Sequence, residues 1–165
     1  MSAPPLSPPT GSSNDPRKAG SFMTLALEEA VAAARLGEVP VGAVIVGSDG
    51  ILLARAGNRT RTLNDPTAHA EMLAIRAACA ALSSERLSGF ALYVTLEPCA
   101  MCAAAISFSR IKRLYFGASD PKGGAVEHGP RLFTQPTCHH APEVYGGIGE
   151  SAAGDLLRDF FRNRR

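Results

Sequence analysis

One histidine, one glutamate and two cysteines stand close together in two short stretches of the chain. Residues 66–71 read Pro-Thr-Ala-His-Ala-Glu, and residues 98–102 read Pro-Cys-Ala-Met-Cys. Imidazole nitrogen and thiolate sulfur are preferred zinc ligands, so His69, Cys99 and Cys102 together could hold one zinc ion. Structural zinc sites usually have four protein ligands, whereas catalytic sites leave one position for water. Three ligands therefore predict a catalytic site with an open position.

Glu71 lies two residues after His69 and is not needed as a ligand. A zinc ion lowers the pKa of a bound water from 15.7 to about 7, and a carboxylate beside that water can act as general base and then as general acid. The form H-x-E followed by P-C-x-x-C is the signature of zinc-dependent nucleobase deaminases. A redox pair of Cys99 and Cys102 is the alternative for the C-x-x-C motif alone, but it would leave His69 and Glu71 unexplained.

Two predicted helices would position these residues. One runs from His69 to about residue 82 and the other follows Pro98, and a proline shortly before each start suits the first helical turn. The partial positive charge at a helix N-terminus favours thiolates. Cysteines three positions apart, as Cys99 and Cys102 are, share one helical face.

The rest of the pattern predicts an α/β fold. A further helix is expected at 22–36, with Gly37 as its C-terminal cap. The other predicted elements are a hairpin of strands 41–46 and 51–57 with a turn at 47–50, strands 90–96 and 113–118, a long loop 120–142, a short last strand in 143–148, and a helix 151–162. This order favours a three-layer α/β/α arrangement, with one mixed sheet of about five strands covered by helices on both faces.

Composition narrows the possible classes of protein. The chain has 165 residues, 45% of them apolar, which is enough for one domain with a core. A net charge of +2 does not by itself indicate a nucleic-acid-binding protein. No apolar run approaches the ~18 residues of a membrane span, so no membrane partner is expected. Four cysteines, two of them in one C-x-x-C motif, favour a reducing cytoplasmic location over a disulfide framework.

Residues 1–20 differ in composition from the remainder. They are rich in Pro, Ser and Gly and nearly devoid of large apolar residues, so a disordered tail is predicted, with a targeting segment as the alternative. Residues 21–165 are predicted to form the zinc-dependent deaminase domain.

Several longer stretches resemble the bacterial tRNA-specific adenosine deaminase family, which has the cytidine-deaminase-like fold. The matching stretches are 38–44 (EVPVGAV), 57–59 (GNR), 65–71 (DPTAHAE), 92–102 (LYVTLEPCAMC), 116–118 (FGA) and 159–162 (DFFR). The resemblance runs from about residue 22 to the C-terminus, but the loop 123–145 departs from it. It implies conversion of adenosine to inosine at the wobble position of a tRNA anticodon stem-loop by a homodimer. It also implies one zinc per subunit, bound by His69, Cys99 and Cys102, with Glu71 moving protons.

The same resemblance suggests residues that contact the substrate. Asn58 corresponds to a family residue that hydrogen-bonds the flipped-out base, although a turn role after a strand is the alternative. Asp120 and Lys122 lie in a stretch that resembles the family's loop beside the active site. Asp120 could accept a hydrogen bond from a ribose 2′-hydroxyl, which would favour RNA over DNA, or it could simply begin a turn before Pro121.

The C-terminus is rich in arginine and phenylalanine. The last eight residues contain four arginines, and Phe160, Phe161 and Arg162 lie among them. Rings that stack on bases and guanidinium groups that pair with phosphates suit RNA, so these three residues are candidate substrate contacts and DNA is not expected as a partner. The alternative is an ordinary amphipathic helix, and we expect one phenylalanine inside and one nearer the surface.

Two other functions remain open on sequence alone. One is a deaminase of free guanine, cytosine or cytidine on the same scaffold, and the other is a non-catalytic binding module with a structural zinc. A second metal site at Cys138-His139-His140 is not expected, because adjacent side chains diverge. Cys79, within an alanine-rich helix, is expected to be buried packing.

Overall fold

The structure is a computed structural model of the chain, and it describes residues 16–164. Within this range the elements are α1 (Pro16–Arg35), β1 (Gly42–Val46), β2 (Leu52–Gly57), α2 (Ala70–Leu82), β3 (Ala91–Leu96), α3 (Ala100–Phe108), β4 (Arg113–Ala118), a short 3-10 helix (Leu132–Thr134), β5 (Glu143–Tyr145) and α4 (Glu150–Arg162). The order confirms the predicted α/β class, and most predicted bounds differ from these by one or two residues.

The five strands form one mixed sheet in the order β2-β1-β3-β4-β5. β1 pairs antiparallel with both β2 and β3, whereas β3, β4 and β5 run parallel. The carboxyl ends of β2, β3 and β4 therefore meet at one edge of the sheet, since the start of β1 lies between Gly57 of β2 and Val94 of β3. Asn58, Cys99 and Asp120, which follow these strand ends, lie along that edge.

Alternating residues of β1 explain why helices cover both faces. Ala43 and Ile45 pack in a core with α2 and α3, whereas Val44 and Val46 pack against α1. α4 lies on the α1 side, where it contacts both α1 and β4. Burial on both faces thus gives the three-layer arrangement that the element order predicted.

Glycine at position 42 allows α1 to approach the sheet closely. A Cβ atom at Gly42 would lie 1.9 Å from the backbone oxygen of Ala26. Gly37, with a φ of +79°, follows the end of α1 and confirms the predicted C-terminal cap.

The first helix begins earlier than predicted. It starts at Pro16, not near residue 22, and Ala19 is buried among α1 and sheet residues. The boundary at residue 20 was therefore wrong for 16–20, because a single small apolar residue among polar ones gives little helical periodicity. The predicted disorder of the rest of the tail concerns residues 1–15, which lie outside the described residues. No helix of residues 16–164 is long and apolar enough to cross a membrane.

Candidate active site

The N-termini of α2 and α3 bring His69, Cys99 and Cys102 together. His69 and Cys99 are the N-cap residues of the two helices, and Cys102 follows in the first turn of α3. Nδ1 of His69 lies 3.6 Å from Sγ of each cysteine. Among residues 16–164 this is the one group of three potential ligands, with all ligand atoms within 4.8 Å of one another.

The spacing of these three donors fits zinc. With Zn–N of about 2.0–2.1 Å and Zn–S of about 2.3 Å, tetrahedral geometry places nitrogen and sulfur about 3.6 Å apart. Both nitrogen–sulfur distances are 3.6 Å. The distances from Nδ1 of His69 to the two sulfurs therefore match those of a zinc site, and three ligands leave one position open.

The pKa values of the two thiols are shifted in opposite directions. The hydrogen bond from Cys102 lowers the pKa of Cys99 to about 4. The same hydrogen bond, followed by burial, raises the pKa of Cys102. A metal ion that binds both sulfurs displaces their protons, because cysteine binds metals as the thiolate.

Glu71 lies in the first turn of α2 beside the ligand group. Its side chain is 4% exposed. Burial raises the pKa of the Glu71 carboxyl to about 7, and the charge of Cys99 also raises this pKa. Three weaker effects lower the pKa: the hydrogen bond to the backbone N–H of Glu71, the charge of His69 and the hydrogen bond with Cys102. A carboxyl whose pKa lies near neutrality can both accept and donate a proton.

Asn58 holds the start of α2. Its Oδ1 accepts a hydrogen bond from the backbone N–H of Ala70 at 2.8 Å, and the residue is buried. This bond satisfies one of the N–H groups that a helix start leaves unpaired, and it fixes the position of His69 next to it. Nδ2 of Asn58 donates to no acceptor among the described residues, which leaves that amide group available to a substrate.

A buried glutamate that the sequence motifs did not indicate organises the loop before α2. Glu38 is fully buried and accepts hydrogen bonds from the backbone N–H groups of Arg61 and Thr62 and from the hydroxyls of Thr60 and Thr62. Burial alone would raise the pKa of this carboxyl, but the hydrogen bonds outweigh it and leave the pKa lowered. A lone acidic residue in the apolar stretch 38–44 is the signal that could have indicated this role.

Asp120 forms the turn that the sequence left open as its alternative role. Its Oδ1 accepts hydrogen bonds from the backbone N–H groups of Lys122 and Gly123 at 3.2 and 3.0 Å. Asp120 is half-buried and Lys122 is exposed. The turn therefore uses Oδ1 of the Asp120 carboxylate.

The C-terminal residues lie on α4, on the face of the sheet opposite to α2 and α3. Phe161 is 52% exposed and Phe160 is half-buried, so Phe160 is the more covered ring, but it is not part of the core as expected. The Arg164 guanidinium lies 4.2 Å above the Phe160 ring and donates a hydrogen bond to the backbone oxygen of Gly37 at 3.0 Å. Arg162 is exposed and lies 3.9 Å from Asp159. Arg164 thus fastens α4 to the end of α1, whereas Arg162 projects into solvent.

The other cysteine and histidine candidates have different environments. Sγ of Cys138 lies 3.5 Å from Oγ of Ser107 and 3.2 Å from the backbone oxygen of His140. Nε2 of His140 lies 2.7 Å from the backbone oxygen of Ile111. Cys79 is partly buried against the core, in keeping with packing.

Comparison with known families identifies the class of protein that this fold and site define. A family model for the cytidine and deoxycytidylate deaminase zinc-binding region matches residues 16–118. That segment contains all three candidate ligands and Glu71. The protein is therefore a member of the zinc-dependent deaminase superfamily.

Curated relatives narrow the assignment within that class. A tRNA-specific adenosine deaminase of Agrobacterium fabrum is 66% identical over 144 residues, which covers 87% of this chain and 94% of the relative. The tRNA-specific adenosine deaminase of Bacillus subtilis is 46% identical over 144 residues. This match covers 87% of this chain and 89% of the relative. The chain belongs to the family of bacterial tRNA-specific adenosine deaminases.

Solved structures agree with this placement. A structure from a study of A-to-I editing by tRNA:A34 deaminases at the wobble position of transfer RNA superposes with a TM-score of 0.82 at 66% identity, covering 83% of this chain and 99% of that one. A guanine deaminase from Nitrosomonas europaea superposes with a TM-score of 0.73 at 25% identity. The match covers 86% of this chain and 83% of the guanine deaminase. The fold thus also serves enzymes that act on a free base.

Proposed function

We propose that this protein deaminates adenosine to inosine at the wobble position of a tRNA anticodon loop. In the reaction, water adds to the base and ammonia leaves, so that adenosine and water become inosine and ammonia. The observation that carries the proposal is the juxtaposition of the buried Glu71 with a three-donor group whose spacing fits zinc. A structural zinc module would not need a proton-transferring carboxyl beside an incomplete ligand set.

The roles of the protein groups follow from this arrangement. His69, Cys99 and Cys102 would hold the zinc ion, which supplies a water of lowered pKa. Glu71 accepts a proton from the attacking water and passes it to N1 of the adenine. It then takes the remaining proton from the new hydroxyl group at C6 and passes it to the amino group, which leaves as ammonia. The buried position of Glu71 keeps bulk solvent from competing for these protons.

The substrate contacts are part of the same proposal. Asn58 donates from Nδ2 to the flipped-out base, since its Oδ1 is already bound by Ala70. Asp120 and Lys122 bind ribose and phosphate beside the site. Phe161 and Arg162, which are exposed on α4, would contact flanking nucleotides, whereas Phe160 acts mainly as the surface on which Arg164 packs.

We also propose that the protein is a homodimer and acts in the cytoplasm, where its tRNA substrate is found. The feature that supports a dimer is an apolar surface at the end of α3. Phe108 is 77% exposed there and lines a cleft of about 300 Å³ together with Leu132 and Cys138. Replacing Phe108 with Glu should give a monomer in sedimentation velocity, and an unchanged sedimentation coefficient would contradict this interface.

The decisive experiment is incubation with a tRNA that carries adenosine at the wobble position. Inosine reads as guanosine on sequencing, so conversion at that single position is expected. Free guanine, cytosine and cytidine should be tested in parallel by ammonia release. Activity on a free base without activity on the tRNA would replace this proposal with the small-molecule deaminase.

A point change on α4 tests the RNA contact. Arg162→Gln should weaken tRNA binding and flatten its salt dependence, because each phosphate contact adds about one unit to the slope of log affinity against log salt. Arg86→Gln is the matched control, since Arg86 is an exposed arginine beyond the end of α2. Equal affinity and slope for both variants would show that Arg162 is only a solvated surface residue.

A further inference from the structure

Glu97 is a buried carboxylate whose hydrogen bonds all go to one loop. It directly follows β3, precedes Pro98 and Cys99, and is 2% exposed. Its Oε2 accepts hydrogen bonds from the backbone N–H groups of Val126, Glu127 and His128, each at 3.2 Å. Its Oε1 accepts a hydrogen bond from the backbone N–H of Asp120 at 3.2 Å and lies 2.8 Å from Nδ1 of His128.

The loop approaches this carboxylate so closely that one position must be glycine. A Cβ atom at Gly124 would lie 2.2 Å from Oε2 of Glu97 and 2.5 Å from the backbone oxygen of Asp120. The backbone N–H of Ala125 also donates to the oxygen of Pro98 at 2.9 Å. The segment 120–128 is thus fastened at several points to the two residues that precede the metal-ligating Cys99.

The same segment carries the candidate RNA contacts. Asp120 and Lys122 open it, and it continues into the long loop that ends at β5. The backbone of Asp120 is held directly by Glu97, and its side chain shapes the turn to Lys122 and Gly123. Movement of the carboxylate would therefore move both candidate contacts together.

We propose that Glu97 is a positioning residue, which holds the loop 120–128 against the metal end of β3 and thereby sets the affinity for the RNA around the reacting base. The inference rests on the proposed function, because it assigns the loop to RNA binding. The hydrogen bonds of the Glu97 carboxylate go to residues 120 and 126–128 and not to the candidate metal ligands. Its five interactions with the loop distinguish it from a carboxylate that merely fills the core.

Three single variants and one double mutant test this role. Glu97→Gln keeps the volume but turns an NH₂ group towards backbone donors, and Gly124→Ala pushes the loop away from the carboxylate. Each should raise KM for the tRNA by about tenfold, the scale of one lost charge-assisted hydrogen bond, while kcat changes by less than about threefold. Because both act on one contact, the double mutant should show less than the product of the two effects. Glu85→Gln removes one charge from an exposed side chain outside this loop and should leave KM unchanged.

Amide hydrogen exchange provides a readout that does not depend on activity. The N–H groups of residues 126–128 should exchange faster in Glu97→Gln, while zinc content stays at the wild-type level. A lowered melting temperature with unchanged KM and kcat would mean that Glu97 is only structural, and loss of zinc would mean that it supports the ligands instead of the loop. Multiplicative effects of the two single changes would likewise overturn the inference. If the wild-type protein failed to deaminate tRNA, both the proposed function and the role of the loop in RNA binding would be wrong. The exchange data would still show whether Glu97 holds the loop in place.

Discussion

Replacing Glu71 with glutamine should nearly abolish turnover without disturbing the fold. The side chain is 4% exposed, and glutamine has the same shape, so the packing is preserved. A general acid–base group contributes about 10²–10⁴-fold, which corresponds to about 2.7–5.4 kcal/mol of barrier at 1.36 kcal/mol per tenfold. The buried carboxylates of Glu38 and Glu97 are occupied by backbone donors of their own loops and cannot take over the role. We expect a loss at the upper end of this range or beyond it, because one carboxyl serves several proton transfers.

The assay is single-turnover deamination of a wobble-adenosine tRNA, read as the fraction of inosine against time. Zinc content by atomic absorption and the melting temperature should match the wild type, which separates a lost proton transfer from a lost site. Glu85→Gln, at a surface carboxylate, is the control for removal of one charge. A rate for Glu71→Gln within about tenfold of wild type would refute the assignment of Glu71 as the acid–base group.

Three further changes have definite expected outcomes. Cys99→Ala should lower zinc content and melting temperature together, because bound metal contributes to folding, whereas Cys138→Ala should change neither, and loss of zinc in the latter would mean that the ligand set is wrong. Gly42→Ala should destabilise the protein by about 1–3 kcal/mol or more in urea unfolding, because the new Cβ would lie 1.9 Å from the oxygen of Ala26; an unchanged midpoint would contradict the close approach of α1. Glu38→Gln should reduce stability by about 1–3 kcal/mol at pH 7 by leaving buried donors poorly paired. The pKa of Glu38 in the folded protein lies below its ordinary value of 4.5. The stability difference between wild type and Glu38→Gln should therefore shrink as the pH falls below 4.5 and the wild-type carboxyl takes up a proton. A stability difference that widened in acid would show that the hydrogen bonds to the carboxylate are not its cause.

Short-range signals explain what could be predicted from the sequence. His69 and Glu71 lie within one helical turn of each other, and so do Cys99 and Cys102. The zinc ligands and the proton-transferring carboxyl can therefore be predicted without knowing the fold. The turn between β1 and β2 was likewise predictable, and the bond between the backbone N–H of Gly47 and the oxygen of Ile51 confirms it. The location of the two ligand segments at helix starts followed from the prolines before them.

Long-range pairing decided the remainder. Nothing local in the sequence indicates that β1 lies between β2 and β3, and this order is what brings Asn58, Cys99 and Asp120 to one edge. Glu97 reaches a loop that begins 23 residues later, and Arg164 caps a helix end 127 residues earlier. A buried carboxylate such as Glu97 looks like an ordinary surface charge in the sequence, because its burial depends on which distant segment packs over it. The candidate ligands could therefore be predicted from the sequence alone, while the positions of the loops around them were decided by tertiary packing.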